Sequence, residues 1–165
     1  MTRFIHVIIA AFAFCLTLLS SANATCTGLN CSCSVTASPF AFGDYDPFGL
    51  ADIDAVGNVS VTCGALLVGA NISYEISLGP GASGDQLNRA MSNGGDALAY
   101  NLFTDAARTT IWGDGTGGSN TVSFSYALSL IFSRTDDFPI YGRLPAGQNV
   151  SVGAYSDTLV VTVQF

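Results

Sequence analysis

The sequence predicts an all-β protein built as an immunoglobulin-like β-sandwich. Beyond residue 24, apolar and polar residues alternate with a period of two in a series of short runs. Turns rich in glycine, proline and asparagine separate these runs, and no run has the period of a helix. Seven or eight short strands at this spacing are typical of an immunoglobulin-like sandwich formed by one domain.

The first 24 residues have the features of a secretory signal peptide. Arg3 supplies a positive charge, Val7 to Leu19 is an apolar stretch, and Ala22-Asn23-Ala24 ends it with small residues. The apolar stretch is shorter than the ~20 residues that a membrane-spanning helix needs. We therefore expect cleavage after Ala24 and export of a domain, residues 25–165, that is not inserted in the membrane.

The charged residues exclude several classes of function. Residues 25–165 contain four arginines, no lysine, eleven aspartates and one glutamate, a formal charge of −8 that cannot form a cationic nucleic-acid surface. The single histidine, His6, lies in the signal peptide, so triads and dyads that need imidazole or lysine cannot form. We expect no enzymatic activity, no metal and no cofactor.

A cluster of four aspartates, Asp44, Asp46, Asp52 and Asp54, is interpreted as part of a solvated turn. A calcium loop that began at Asp44 would need glutamate at its twelfth position, where the chain has Ala55. Clustered aspartate with glycine and proline is more typical of turns than of calcium sites.

The N-terminal half contains three predicted strands. The first is Cys33 to Phe42, in which Pro39 resets the alternation, so we expect this strand to border or switch a sheet. A turn follows at Gly43 to Pro47. The next two strands, Asn58 to Cys63 and Asn71 to Leu78, alternate regularly.

The C-terminal half contains five further predicted strands: Gln86 to Met91, Ala97 to Thr104, Thr121 to Phe132 (one long strand or two short ones), Ile140 to Leu144 and Asp157 to Phe165. A strong turn, Ser92 to Gly95, separates the first two. The glycine-rich run Gly113 to Gly118 lacks the lysine and hydroxyl residue of a phosphate-binding loop, so it predicts a hairpin loop.

Four cysteines in the exported part of the chain indicate two disulfides. Cys33 and Cys63 are in phase with the apolar residues of their strands, so a bridge between them would join two neighbouring strands in the core. Cys26 and Cys31 would then close a small N-terminal loop. Because Cys31 shares the parity of Cys33, a bridge between Cys31 and Cys63 remains an alternative.

The last predicted strand carries a row of large apolar residues. Leu159, Val161, Val163 and Phe165 alternate with Val160, Thr162 and Gln164, and an immunoglobulin-like sandwich normally has a further strand after this one. Either that strand is missing or another element takes its place. An open edge beside such a row favours pairing with a strand from another chain.

Six sequence motifs resemble the spore coat protein U domain, which is shared with subunits of archaic chaperone–usher pili. The motifs are Phe42 to Pro47, Arg89 to Asn93, Tyr100 to Thr109, Trp112 to Gly118, Tyr141 to Gln148 and Gly153 to Leu159. They occur in the order of the family, and the resemblance extends from about Cys33 to Phe165.

The resemblance implies an incomplete immunoglobulin-like sandwich of about six or seven strands with an open groove beside the C-terminal strand. It implies that a periplasmic chaperone first fills the groove and that an outer-membrane usher exchanges the chaperone strand for the N-terminal extension of a neighbouring subunit. The apolar side chains of Leu159, Val161, Val163 and Phe165 would then be the residues that a partner strand contacts. The chain is thereby predicted to pass through the periplasm to a surface fimbria that serves adhesion and biofilm formation.

The N-terminal segment departs from the pattern of the family's fibre subunits. Thr25 to Ser32 contains one large apolar residue, Leu29, and two cysteines, so it predicts a poor donor strand. Two alternatives to a fibre subunit follow from the sequence. The first is a self-contained coat or matrix protein whose edge is covered by its own N-terminus. The second is a carbohydrate-binding module in which Trp112 stacks on a sugar, although a single tryptophan is more typical of a core.

Overall fold

The computed structural model describes residues 25–27, 31–65, 70–128 and 133–165; the predicted signal peptide, residues 1–24, lies outside these ranges. Within them the chain forms ten strands: β1 Thr25–Thr27, β2 Ser32–Ala37, β3 Ile53–Gly64, β4 Ala70–Leu78, β5 Ala90–Asn93, β6 Asp96–Ala99, β7 Asn101–Phe103, β8 Val122–Leu128, β9 Ser133–Leu144 and β10 Val161–Gln164. The described residues contain one 3₁₀ turn, Gly81–Ser83, and no helix long and apolar enough to cross a membrane.

The first sheet is organised around β4. Strand β8 pairs with one edge of β4 from Ala70 to Ile76, and two short strands share the other edge. On that edge β10 covers Glu75 to Leu78 and β1 covers Asn71 to Ser73, both antiparallel to β4. Strands β10 and β1 therefore lie end to end along one side of β4.

The second sheet has the order β2-β3-β9-β7 and is antiparallel throughout. Its centre is the ladder between β3 and β9, which runs from Ile53 opposite Leu144 to Gly64 opposite Ser133. Strand β2 forms one edge of this sheet. A separate hairpin, β5 and β6, turns at Gly94, whose φ of +65° favours glycine.

The core lies between the two sheets and contains the alternate residues of the predicted strands. It consists of Val59, Val61 and Cys63 from β3, Ile72, Tyr74, Ile76 and Leu78 from β4, and Leu98, Tyr100, Leu102, Trp112, Ile140 and Leu144, together with the two alanines Ala65 and Ala70. In β4 every second residue is buried, which is the period of two that the sequence predicts.

The strand boundaries differ from the predicted ones in most strands. Strand β2 ends at Ala37 rather than Phe42, and β9 begins at Ser133 rather than Ile140. Strand β5 is Ala90–Asn93 rather than Gln86 to Met91, and β10 is Val161–Gln164 rather than Asp157 to Phe165. Strand β3 begins at Ile53, earlier than the predicted start at Asn58, because its first residues pair with β9. The predicted strand Ala97 to Thr104 is divided into β6, which pairs with β5, and β7, which pairs with β9. Only Val122–Leu128 of the predicted segment Thr121 to Phe132 forms β8, and residues 129–132 lie outside the described ranges.

Candidate strand-accepting groove

An apolar groove opens between the edges of the two sheets. One wall is formed by residues 37–47, which continue from β2, and the other by residues 150–161, which lead into β10. The floor consists of core residues of both sheets, among them Leu78, Leu102 and Ile140, and the cavity has a volume of about 810 Å³. The sandwich is thus incomplete at this edge, as the sequence predicts.

Two phenylalanines shape the first wall. The rings of Phe40 and Phe42 meet edge to face, with centroids 4.9 Å apart, and Phe42 meets the ring of Tyr100 at 5.8 Å. The ring of Phe40 lies directly on the backbone of Gly57 in β3 and Gly142 in β9, where an added Cβ would come within 2.6 Å and 2.2 Å of ring atoms. Glycine at these two positions is therefore what lets the wall pack closely on the sheet.

Polar contacts to the β5–β6 hairpin hold the second wall. Ser92 and Ser156 exchange two main-chain hydrogen bonds, of 2.9 Å and 3.2 Å. The Asp96 carboxylate accepts a hydrogen bond of 2.9 Å from Ser151 N, and this contact holds the pKa of Asp96 below its usual value. These contacts anchor the wall to the hairpin, while Val150, Tyr155 and Leu159 of the wall pack against the core.

Asp157 fixes the wall close to the last strand. Its Oδ2 accepts a hydrogen bond of 2.7 Å from Tyr100 Oη, and its Oδ1 accepts one of 2.8 Å from Ala82 N. Burial, together with the bond to Asp157, raises the pKa of the Tyr100 phenol above its usual value. The buried tyrosine thus joins the floor of the groove to its wall.

The two edges beside the groove carry unpaired main-chain groups. In the described residues β2 pairs only with β3, and β10 pairs only with β4. The main-chain bond from Ser38 N to Asn58 O, of 3.0 Å, is the last between the first wall and β3, and residues 39–45 make none to any other described residue. Free N–H and C=O groups beside an apolar floor form a template for a further strand.

The four residues predicted to contact a partner strand occupy different places. Leu159 and Val161 line the groove and are half-buried, while the intervening Val160 points away and is 67% exposed. Val163 packs on the core farther along β10, and Phe165 is 43% exposed. The structure thus brings Leu159 and Val161 into the groove, whereas Val163 and Phe165 are not among the residues that line it.

Both predicted disulfides are present. Cys33 bridges to Cys63 and Cys26 bridges to Cys31, so the alternative bridge between Cys31 and Cys63 does not form. The first bridge ties the edge strand β2 to β3, next to the groove. The second ties β1 of the first sheet to the residue that precedes β2 of the second sheet.

A buried arginine, whose role the sequence did not reveal, supports the floor. Arg89 is fully buried, and its Nη2 donates hydrogen bonds of 2.8 Å to the carbonyl oxygens of Gly79 and Trp112. Its Nη1 donates to Asn101 Oδ1 at 2.8 Å, and burial lowers its pKa. Among the described residues its hydrogen-bond partners are oxygens of uncharged groups, so no acidic residue at a fixed spacing marks this arginine in the sequence.

Trp112 and part of the aspartate cluster are held by contacts within the domain. Trp112 is 1% exposed and its Nε1 donates to Ile76 O at 3.1 Å, so the hypothesis that it stacks on a sugar is wrong. In the cluster, the Asp54 carboxylate accepts two hydrogen bonds from Arg143, of 2.8 Å and 2.9 Å, and these lower the pKa of Asp54. No group of three or more potential metal ligands occurs within the described ranges.

Comparisons with known proteins identify the family and agree with the fold. The family model of the Spore Coat Protein U domain matches residues 18–162. Protein U of Myxococcus xanthus is 34% identical over 133 residues, which cover 75% of this chain and 70% of that protein.

One solved structure that is similar in fold is the CsuC-CsuE chaperone-tip adhesion subunit pre-assembly complex from archaic chaperone-usher Csu pili of Acinetobacter baumannii. The match has a TM-score of 0.53 at 20% identity and covers 82% of this chain. This chain spans 40% of the length of the chain that it matches there.

Proposed function

The chain belongs to the Spore Coat Protein U domain family, a structural and non-enzymatic family, and from this premise we propose that it is an exported subunit of a chaperone–usher type surface fibre. In this proposal the groove accepts a β-strand from another chain, which completes the sandwich. The observation that carries the proposal is an apolar groove whose two walls, residues 37–47 and 150–161, flank a floor of core residues.

The physical reason for strand acceptance is burial together with main-chain pairing. A strand in the groove would cover Leu159, Val161 and the wall of Phe40 and Phe42, which are only half-buried without it. Full burial of an aliphatic side chain stabilises by about 1.5–3 kcal/mol, and an extended peptide also satisfies the free N–H and C=O groups of the walls. Side chains at every second position of the incoming strand would face the floor.

The proposed partners act on this groove in sequence. A periplasmic chaperone would fill it first, and an outer-membrane usher would then replace the chaperone strand with a strand of a neighbouring subunit. The similarity in fold to a chaperone–subunit complex supports a chaperone partner. Fibres built in this way would place the protein at the cell surface, where we propose that it serves adhesion and biofilm formation.

The N-terminal segment is proposed to be a poor donor. Thr25–Thr27 is already paired with β4 of its own domain, and the bridge between Cys26 and Cys31 restrains it. A segment held on its own domain is not free to fill the groove of a neighbour. We therefore propose that this subunit accepts a strand more readily than it donates one.

A binding experiment with matched variants tests strand acceptance. The full-length gene is expressed in a bacterial host that exports it, and the purified protein is titrated with a fluorescent peptide in which valine and threonine alternate. We expect the double variant Leu159→Asn with Val161→Asn to lose at least 10-fold in affinity. Val160→Asn, one residue away on the opposite face, should bind as the wild type does.

Thermal unfolding provides a second readout, because a ligand that binds the folded state raises the midpoint. The midpoint of the wild-type protein should rise with peptide concentration. A protein that unfolds cooperatively and neither binds nor is stabilised by any such peptide would instead be the self-contained coat or matrix protein. The described N-terminal strand gives this alternative no support, because Thr25–Thr27 lies on β4 and not in the groove.

A further inference from the structure

The two ends of the groove are closed in different ways. The residues that line the groove stop at Ala37 on one wall and at Val161 on the other. Beyond this point β2 and β10 approach each other directly, with Cα atoms within 8 Å at their closest. Because neighbouring strands lie about 4.8 Å apart, a strand inserted between them would require about 9.6 Å. No strand fits between β2 and β10 at that approach.

The N-terminal strand extends this closed end. Gln164 of β10 is opposite Glu75 of β4, and Thr25 of β1 is opposite Ser73, so the two strands follow one another along the same edge with one position between them. That edge is the one that faces β2 across the sandwich. Strand β1 therefore continues the closed region beyond the end of β10.

A disulfide joins the two sheets at this end. Cys26 belongs to β1 in the first sheet, and Cys31 directly precedes β2 in the second sheet, with the two Cα atoms 6.2 Å apart. The second bridge, between Cys33 and Cys63, anchors the start of β2 to β3. Two covalent links thus hold β2 in place where it approaches β10.

At the opposite end, the two sides of the groove are joined among the described residues by a hydrogen bond rather than by a disulfide. There, Tyr45 Oη of the first wall accepts a bond of 2.6 Å from Gln148 N, which a rotation of the tyrosine side chain breaks. Next to it, Val152 in the second wall is fully exposed, and Phe48, just beyond the first wall, is 91% exposed. A side-chain hydrogen bond thus spans one end of the groove, whereas two disulfides anchor β2 at the other end.

From this difference we infer that the N-terminal clasp, formed by β1 and the bridge between Cys26 and Cys31, is a stop that sets how far an incoming strand reaches. The inference rests on the proposed strand acceptance. An incoming strand occupies the length of the first wall, residues 38–47, and ends where β2 meets β10. At about 3.3 Å per residue this length holds a strand of at most about ten residues, and the stop fixes its register. The partner is therefore a chain whose pairing segment has a free end or a turn at the closed end of the groove.

Peptides with extensions on one side test the stop. The wild-type protein is titrated with a nine-residue peptide of alternating valine and threonine and with two longer forms, which carry four serine and glutamine residues at the N-terminal or the C-terminal end. We expect one of the two extensions to weaken binding at least 10-fold and the other to change it less than 2-fold. Equal tolerance of both extensions overturns the stop and leaves strand acceptance intact. If none of the peptides binds, strand acceptance itself fails, and the stop fails with it.

Two variants assign the effect to the clasp. In the double variant Cys26→Ser with Cys31→Ser, the unfavourable extension should weaken peptide binding by less than 3-fold. The reason is that β1 can leave the edge of β4 and β2 is less restrained. Tyr45→Phe removes the hydrogen bond at the opposite end and keeps the bridge between Cys26 and Cys31. It should retain the full difference in affinity between the two extended peptides. Retention of the full penalty in the cysteine variant contradicts the assignment. If the cysteine variant does not fold, the difference between the two extended peptides in the wild-type protein still decides whether one end of the groove is a stop.

Discussion

Cys33 lies directly opposite Cys63 across the ladder of β2 and β3, and their Cα atoms are 4.1 Å apart. The bridge joins an edge strand to the fully buried position of its neighbour. Since β2 is the last strand before the first wall of the groove, this bridge fixes the place from which the wall starts. The same disulfide therefore stabilises the sandwich and anchors the first wall of the groove.

Removal of the two bridges should destabilise the protein unequally. In the chain-entropy model a bridge that closes the longer loop restricts the unfolded chain more. The bridge between Cys33 and Cys63 spans 30 residues and that between Cys26 and Cys31 spans 5. We expect Cys33→Ala with Cys63→Ala to lower the free energy of unfolding by about 3–4 kcal/mol, and Cys26→Ala with Cys31→Ala by about 2 kcal/mol. Urea unfolding of both double variants measures the difference, and the reverse order would contradict the assignment of the larger effect to Cys33 and Cys63.

Arg89 should be irreplaceable by other long side chains. Arg89→Met removes the donors to the carbonyl oxygens of Gly79 and Trp112, and buried carbonyl groups without a partner are costly. We expect a loss of about 2–5 kcal/mol in the free energy of unfolding. Arg89→Lys should also destabilise, because an ammonium group cannot reproduce the planar fork of donors. Leu50→Met, at a side chain that is 99% exposed, is the control and should change stability by less than about 0.5 kcal/mol.

The alternation of residues predicted the centres of the strands but not all of their ends. In β4 the parity of Ile72, Tyr74 and Ile76 identifies the buried face unambiguously. The early start of β3 has no such mark, since Asp54 is held by Arg143 of β9, 89 residues away in the sequence. Contacts at that separation determine where a strand begins and leave no local pattern.

The groove was predictable on one side only. The parity of Leu159 and Val161 places them on the inner face of β10 and the segment before it, and both line the groove. The other wall depends on Phe40 lying on Gly57 and Gly142, which is a match of shapes between distant segments. The role of Arg89 could not be predicted from the sequence for the same reason, because it donates to main-chain oxygens, which any residue supplies.

The glycine beneath Phe40 gives a prediction about the shape of the groove. In Gly142→Ala the new Cβ would lie 2.2 Å from the ring of Phe40, so the ring must move towards the groove. We expect a loss of about 1–3 kcal/mol in the free energy of unfolding and weaker binding of an alternating peptide. Gly95→Ala, where no atom lies within 4 Å of the added Cβ, should leave both quantities unchanged. Peptide affinity equal to that of the wild type would show that Phe40 does not bound the groove.

Acid should destabilise the protein through carboxylates that accept hydrogen bonds in the folded state. The contacts of Asp96 to Ser151 lower its pKa, so the unfolded chain binds a proton more readily than the folded one as the pH falls. Stability from this group is therefore complete above about pH 5 and is lost as the pH drops below about 4. Asp96→Asn retains an acceptor but does not titrate. Its urea midpoint should change less between pH 5 and pH 3 than that of the wild type.

The control for this acid dependence is Asp44→Asn. Asp44 is exposed, and its carboxylate accepts no hydrogen bond from the described residues, so this variant matches the change in formal charge without removing a contact. Parallel curves for Asp96→Asn and the wild type would mean that the contact between Asp96 and Ser151 does not contribute to acid sensitivity.

Alkali should act on the tyrosine that joins the floor of the groove to its wall. Burial and the bond to Asp157 raise the pKa of Tyr100, so above about pH 10 the unfolded chain releases a proton that the folded protein retains. Stability from this group is complete below pH 10 and declines as the pH rises further. Tyr100→Phe should show a shallower decline in urea midpoint between pH 9 and pH 11.5, and parallel curves would refute this role.

Burial also raises the pKa of Tyr74, so Tyr74→Phe should reduce the alkaline loss of stability as well. Only Tyr100→Phe, which frees the wall at Asp157, should also weaken the binding of an alternating peptide at neutral pH, because Tyr74 is not among the residues that line the groove.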